Sequence, residues 1–377
     1  MKYTSKKAIS QMSQRQRQGV TICHQCLRRL SAAATTTPPP STPNPFASYE
    51  VTAPPTAAQL AYATNLFLPR DPSKRPTHLL NAPRFLDMPP SPFPEVAILG
   101  RSNVGKSSLL NALLGFNATT SSKTKGGAHV SKRAGATRNM NVFGVGGVIR
   151  KRYADKNGKH EYWRLAGNEG GGEKLLVLDF PGYGSGSTDV QGKEVMKYLS
   201  GRKQYVYRYV DSNIMLIPCR LRRVFVLIDA RHGMKSSDQA IMSLLWSHGI
   251  AHQLVLSKID YAVMPRQKQS PNWEKLDGAF SGLRGTAYDF YGKLKKDRQG
   301  TGTEMLGDLL ATSSEKTWPP MSGKRLGVEG LRWAILQAVG LDSDAEGRRP
   351  DLDIDILPDA EDEEMPADLV RMRRGAI

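Results

Sequence analysis

Apolar residues along this chain fall into short runs set far apart. Residues 95–99 (EVAIL), 175–180 (LLVLDF), 224–230 (VFVLIDA) and 253–257 (QLVLS) are near-continuous apolar stretches of strand length, the pattern of strands buried on both faces. Two other segments, 108–114 (SLLNALL) and 331–339 (LRWAILQAV), repeat apolar positions at helical spacing. The intervals between the strand-like runs are long enough for the crossover helices that parallel strands require. The pattern predicts an α/β fold, with a mainly parallel central sheet flanked by helices on both faces.

The flanks have a different texture. Residues 1–49 contain seven Lys or Arg and no Asp or Glu among Ser, Thr, Gln and Ala, which resembles an organellar transit peptide; a disordered basic tail is the competing reading. Proline-rich sequence continues to Pro94, so residues 50–93 read as an extension and the folded domain is expected over 94–340. Two stretches inside it read as insertions: 148–173, glycine-rich and charged, and 261–307, basic with scattered aromatics. Residues 341–377 are acidic and poor in aromatics, the composition of a disordered tail.

Charge narrows the partners. The 377 residues carry a formal net charge of +18, yet from Asp342 onward 12 acidic residues stand against 5 basic ones, which leaves about +25 on the rest. Such an excess points to a polyanion, and RNA fits better than a membrane because no amphipathic basic helix stands out. A solvated basic surface is the plain alternative. No apolar run approaches the roughly 20 residues that a bilayer-crossing helix needs. Three cysteines exclude a disulfide framework, and the CxxC of Cys23 and Cys26 lacks the second pair that tetrahedral zinc requires.

The chemistry sits at the ends of the predicted strands. Gly100, Arg101, Ser102, Asn103, Val104, Gly105, Lys106 and Ser107 form GxxxxGKS between a strand and a helix that continues at Ser108. Glycines let successive N–H groups face phosphates, Lys106 bridges the β- and γ-phosphates, and the Ser107 hydroxyl ligates magnesium. Asp179, Phe180, Pro181 and Gly182 end the next strand, giving a carboxylate on the magnesium side, acting through water, and a glycine N–H for the γ-phosphate. Ser257, Lys258, Ile259 and Asp260 (SKID) follow another strand. One carboxylate there accepts from both N1–H and N2–H of guanine, a donor pair that adenine lacks, so Asp260 selects guanine. Lys258 is expected to lie along the base and brace the loop, and Ser313 with Ser314 to present a backbone N–H to the guanine O6. Between the first two motifs Thr137, in GATR, is the choice for the threonine that completes the magnesium shell and senses the γ-phosphate; Thr119, Thr120 and Thr124 compete for the role.

Through GRSNVGKSSLLNALL, GATRNMNVF, DFPGYG, DARHGMKSSD and SKID, the chain resembles the EngB (YihA-type) family of bacterial and organellar ribosome-assembly GTPases, over roughly residues 94–340. The resemblance implies a P-loop NTPase with a Ras-like G domain, binding of GTP/GDP and Mg2+, and hydrolysis coupled to maturation of the large ribosomal subunit. With the basic body and the leader, it implies a monomeric mitochondrial matrix member acting on large-subunit rRNA or its precursor particle. Many GTPases place a glutamine after DxxG to orient the attacking water; here Tyr183 stands there, and slow intrinsic hydrolysis, stimulated by a partner, is expected. Asn103 matches the asparagine with which several related GTPases hold K+ between the phosphates; an asparagine that merely hydrogen-bonds the loop is the competing reading. Lys106, Thr137 and Gly182 are therefore the expected catalytic groups. A tRNA-modification or Era-like GTPase, and a nonhydrolysing GTP-gated scaffold, are the alternatives.

Overall fold

The computed structural model describes residues 44–84, 87–88, 91–116, 139–154, 161–168, 172–184, 192, 194–199, 206–210, 213–217, 221–264, 271–298, 302–317 and 323–349. In chain order they form β1 (Ala47–Ser48), α1 (Ala57–Phe67), β2 (Thr77–Ala82), β3 (Glu95–Gly100), α2 (Lys106–Leu114), β4 (Met140–Val145), β5 (Val148–Ala154), β6 (Glu161–Gly167) and β7 (Leu175–Asp179). After these come β8 (Val206–Val210), β9 (Asn213–Ile217), β10 (Leu221–Asp229), α3 (Ser236–Ser247), β11 (His252–Ser257), α4 (Asp260–Val263), α5 (Trp273–Arg298), β12 (Leu309–Thr312) and α6 (Val328–Val339).

Eight strands make one sheet in the order β1-β12-β11-β10-β3-β7-β4-β2. The run from β12 to β7 is parallel, while β1, β4 and β2 join antiparallel at the two edges. The α/β expectation holds, and its apolar runs are explained by a core on each side of the sheet. Val96, Ile98, Val177, Phe225, Leu227 and Val255 pack with α1, α2 and α6; the alternate residues Ala97, Leu99, Leu178, Val226 and Leu256 pack with α3 and α5. The α6 side also grips the helix that follows the phosphate loop. Buried Arg332 donates to the carbonyls of Leu113 at 3.0 Å and Ala112 at 2.9 Å, partners for the C-terminal end of α2.

The structure shows order at three places that composition reads as extension, insertion and tail. The fold starts near Asn44 rather than at residue 94: β1 pairs with β12, β2 pairs with β4, and α1 lies on α6. Asp308 provides the anchor, its buried carboxylate accepting the N–H groups of Glu50 at 2.6 Å and Val51 at 2.7 Å and the hydroxyl of Thr52 at 2.6 Å. The expected insertion at 261–307 is largely α5, whose buried stripe of Leu276, Phe280, Leu283, Ala287 and Tyr291 packs on the sheet. Three glycines, Gly278, Gly282 and Gly285, interrupt that stripe in the sequence, at about 1 kcal/mol each against alanine, so the helix owes its stability to packing rather than propensity. The acidic segment also begins as structure, since Leu341 is buried and the carbonyls of Ser343 and Ala345 accept from Gln59 and Thr56 beside α1. Residues 1–43 and 350–377 lie outside the described residues.

Candidate nucleotide site

The site forms where β3, β7, β10 and β11 end. The chain leaves β3 at Gly100, where a Cβ would lie 2.7 Å from Val104 Cγ1, and turns through Asn103 at φ 64° and Gly105 at φ 96° into α2. A positive φ is uncommon for a residue with a Cβ, and asparagine tolerates it better than most. The first intrahelical bond runs from Leu109 N–H to the Gly105 carbonyl at 2.9 Å. The N–H groups of Lys106, Ser107 and Ser108 therefore precede the ladder and form an anion-facing helix terminus, reinforced by the macrodipole. Val104 is buried, and its carbonyl accepts the Ser257 hydroxyl at 2.8 Å, which ties the loop to β11.

Lys106 forms an ion pair with Asp179, both side chains being buried. The other carboxylate oxygen accepts the amide of Asn141 at 3.2 Å, and Asn141 accepts from Asn81 at 2.9 Å. Asn141 escaped the sequence reading because it lies on an antiparallel edge strand with no motif of its own. The Asp179 carboxylate and the Ser107 hydroxyl, in the first turn of α2, are oxygen donors of the kind that hard divalent cations take, so these residue types fit Mg2+. Gly182 is needed for close approach, since a Cβ there would stand 3.0 Å from both the backbone N and Cα of Ser102.

Arg101, Ser102 and Tyr183 brace the site. The Ser102 N–H donates to the Tyr183 carbonyl at 3.1 Å, and the Tyr183 N–H donates back to the Gly100 carbonyl at 3.3 Å. The Arg101 guanidinium points away from the loop, to Asp238 Oδ2 at 3.1 Å and the Gly233 carbonyl at 3.1 Å. Asp238, fully buried in the first turn of α3, also accepts the Tyr183 hydroxyl at 2.9 Å and the Lys235 N–H at 2.8 Å. Burial, then the nearby Asp238 charge, pushes the Tyr183 hydroxyl well above its ordinary range, which keeps it a donor. This triad joins the phosphate loop, the DFPG loop and α3. Asp238 was legible as the last residue of DARHGMKSSD, but nothing local showed that it meets Arg101 and Tyr183.

At the base-reading end, Lys258 adopts φ 56° and places its ammonium on the Asn103 carbonyl and on Asp229 Oδ2, the latter at 2.9 Å. Bracing of the loop by Lys258 is thus present. Burial would raise the Asp229 carboxyl, but hydrogen bonds from Arg231 and Lys258 outweigh it and hold the group well below the carboxylate range. Asp260 is buried at the start of α4, one residue after Ile259, whose N–H donates to the Thr312 carbonyl at 3.1 Å. That bond sets SKID beside the 313–314 turn. The Ser313 N–H is committed to the Leu326 carbonyl at 3.0 Å, and its hydroxyl accepts from the N–H groups of Glu315 and Lys316. Of the serine pair, then, only Ser314 is placed to offer a backbone N–H. Thr137, and its competitors Thr119, Thr120 and Thr124, lie outside the described residues. Arg223 is buried within β10, where desolvation pushes its guanidinium down to about 10.

Residues 95–258 match the family model described as 50S ribosome-binding GTPase. A "Probable GTP-binding protein EngB" of Rhizobium etli is 33% identical over 264 residues, covering 69% of this chain and 89% of the relative. The protein of the same name in Bartonella tribocorum is 30% identical, covering 68% of this chain and 88% of the relative. That of Chelativorans sp. is 35% identical, covering 47% of this chain and 63% of the relative.

Proposed function

Because the chain belongs to the EngB family of GTP-binding proteins, we propose that it binds GTP, hydrolyses it to GDP and phosphate, and acts as a switch in assembly of a mitochondrial large ribosomal subunit. The observation that carries the reading is the convergence, at one end of the parallel sheet, of the α2 N-terminus with Lys106, the buried Asp179 and the buried Asp260. Phosphates would take the N–H groups of residues 106–108 and the Lys106 ammonium; Asp260 would accept both donors of the guanine edge. Ser107 and Asp179, with Thr137 added, are the residues that would hold Mg2+. When bound, that cation would supply neutralisation of phosphate charge.

The same geometry supports slow turnover. The Tyr183 hydroxyl is committed to Asp238, so the residue after Gly182 does not orient water for attack on the γ-phosphate. A partner particle, or K+ held at the exposed Asn103, would supply the missing help. The polyanion is proposed to be large-subunit rRNA, on the strength of the basic body, and the matrix location rests on the acid-free leader.

Turnover of GTP by the full chain, measured in K+ and in Na+ and with and without isolated large subunits, tests this. We expect GTP and not ATP to bind, faster turnover in K+, and stimulation or cosedimentation with subunits. Equal rates in both salts would remove the role of potassium, and binding without any turnover would turn the switch into a scaffold.

A further inference from the structure

Asp179 ends a row of amides that lies outside the GxxxxGKS, DFPG and SKID motifs. It shares this row with Asn141 and Asn81 on three adjacent strands, β7, β4 and β2, whose antiparallel register pairs Asn141 with Asp179 and Asn81 with Asn141. Directly opposed residues lie on one face of a sheet, so these side chains meet in a line. Asn141 donates to Asp179 Oδ2 at 3.2 Å, Asn81 donates to Asn141 Oδ1 at 2.9 Å, and Asn139 donates to Asn81 Oδ1.

The direction of the row follows from its chemistry. An ionised carboxylate only accepts, so Asn141 must turn its NH2 group to Asp179 and its oxygen away. Asn81 then donates to that oxygen, and its own oxygen is left for Asn139. Each amide therefore aims the next, and hydrogen bonds in series polarise one another. The row starts at Asn139, two residues after Thr137, and crosses β2, which precedes the region 95–258 matched by the family model.

Asp179 has a second holder in Lys106, on Oδ1. Under the function proposed above, Lys106 serves the phosphates, and of the two holders Asn141 is the one that stays. A carboxylate free to rotate loses that freedom when it takes a cation, whereas one already aimed by a fixed hydrogen bond does not.

We propose that Asn141 is a positioning residue for Asp179, aimed in turn by Asn81 and Asn139, and that this row of amides sets the affinity of the nucleotide site for Mg2+. The inference rests on the GTP-binding reading above and deepens it.

The test uses the full chain and a fluorescent, nonhydrolysable GTP analogue, titrated at a series of Mg2+ concentrations and again in EDTA. The parent should bind more tightly as Mg2+ rises. Asn141→Leu, which keeps the size of the side chain and removes its polar atoms, should raise the Mg2+ midpoint about tenfold, the scale expected for a partner that orients a metal-binding carboxylate. Its affinity in EDTA should match the parent's. Asn81→Val, on the exposed edge strand and one amide further out, should raise the midpoint about threefold, as for a neutral hydrogen bond. If Asn141→Leu melts early, Asn81→Val is read in its place. An unchanged midpoint in both variants overturns the proposal while the GTP-binding reading stands. An equal loss with and without Mg2+ would make Asn141 a general brace of the site and also overturn it. A parent that binds the analogue equally well in Mg2+ and in EDTA, or does not bind it, overturns the reading of the site together with the proposal.

Discussion

The two ends of the parallel strands handle charge differently. At the C-terminal ends, buried Asp179, Asp229 and Asp238 each hold a cation or a donor: Lys106, Arg231 with Lys258, and Arg101 with Tyr183. At the other end, buried Asp308 is also met by donors, from residues 50–52, whereas His252 against Tyr291 is stripped of charge by complete burial. Paired, buried charges keep a fixed geometry, which a site for phosphate transfer needs before its ligand arrives. Complete burial without a counter-charge instead leaves a titratable group neutral. The nucleotide end therefore keeps its charges paired in place, and the far end keeps its histidine neutral.

Lys106→Ala should disturb the paired end most. It removes the charged donor to the phosphates and strips the buried Asp179 of its cation; at about 1.5–3 kcal/mol per charged hydrogen bond, GTP affinity should fall about hundredfold or more, read by fluorescent-nucleotide titration. Asp238→Ala comes next, since it leaves Arg101 and the Tyr183 hydroxyl without their shared acceptor. Urea unfolding should show a loss of about 3 kcal/mol, with Tyr183→Phe costing only about 1 kcal/mol. If the two variants cost the same, the triad is not a coupled unit.

The smallest effect near neutral pH belongs to the other end. Complete burial pushes His252 down to about 4 from an ordinary 6.5; its Nδ1 faces the Ile250 carbonyl at 2.8 Å and its Nε2 the Tyr291 hydroxyl. The folded state thus binds this proton less readily than the unfolded state. The contribution is fully present above about pH 6.5 and is lost progressively as pH falls toward 4, by about 3 kcal/mol in all. Unfolding free energies measured from pH 7 to pH 4 should show this slope, and His252→Gln should flatten it. An unchanged slope in that variant would mean that the far end does not hold a neutral imidazole.

Much of this molecule is written locally. The runs around Val96, Val177, Val226 and Val255 are continuous because both faces of their strands are covered, and GRSNVGKS, DFPG and SKID fall at strand ends because loops there are free to specialise. These signals span a few residues each, so the chain alone determined the parallel sheet and the order of the motifs around one nucleotide end. Other features depend on residues far apart in the chain. Asp308 fixes the 50–52 backbone across more than 250 residues, Asp238 closes on Arg101 and Tyr183, and Leu276 to Tyr291 form a core stripe despite the glycines between them. Composition pointed the other way at residues 44–82 and in α5, where prolines and glycines disguise ordered elements. The tertiary structure decided these, because burial and hydrogen bonding with distant partners outweigh local propensities of about 1 kcal/mol per residue.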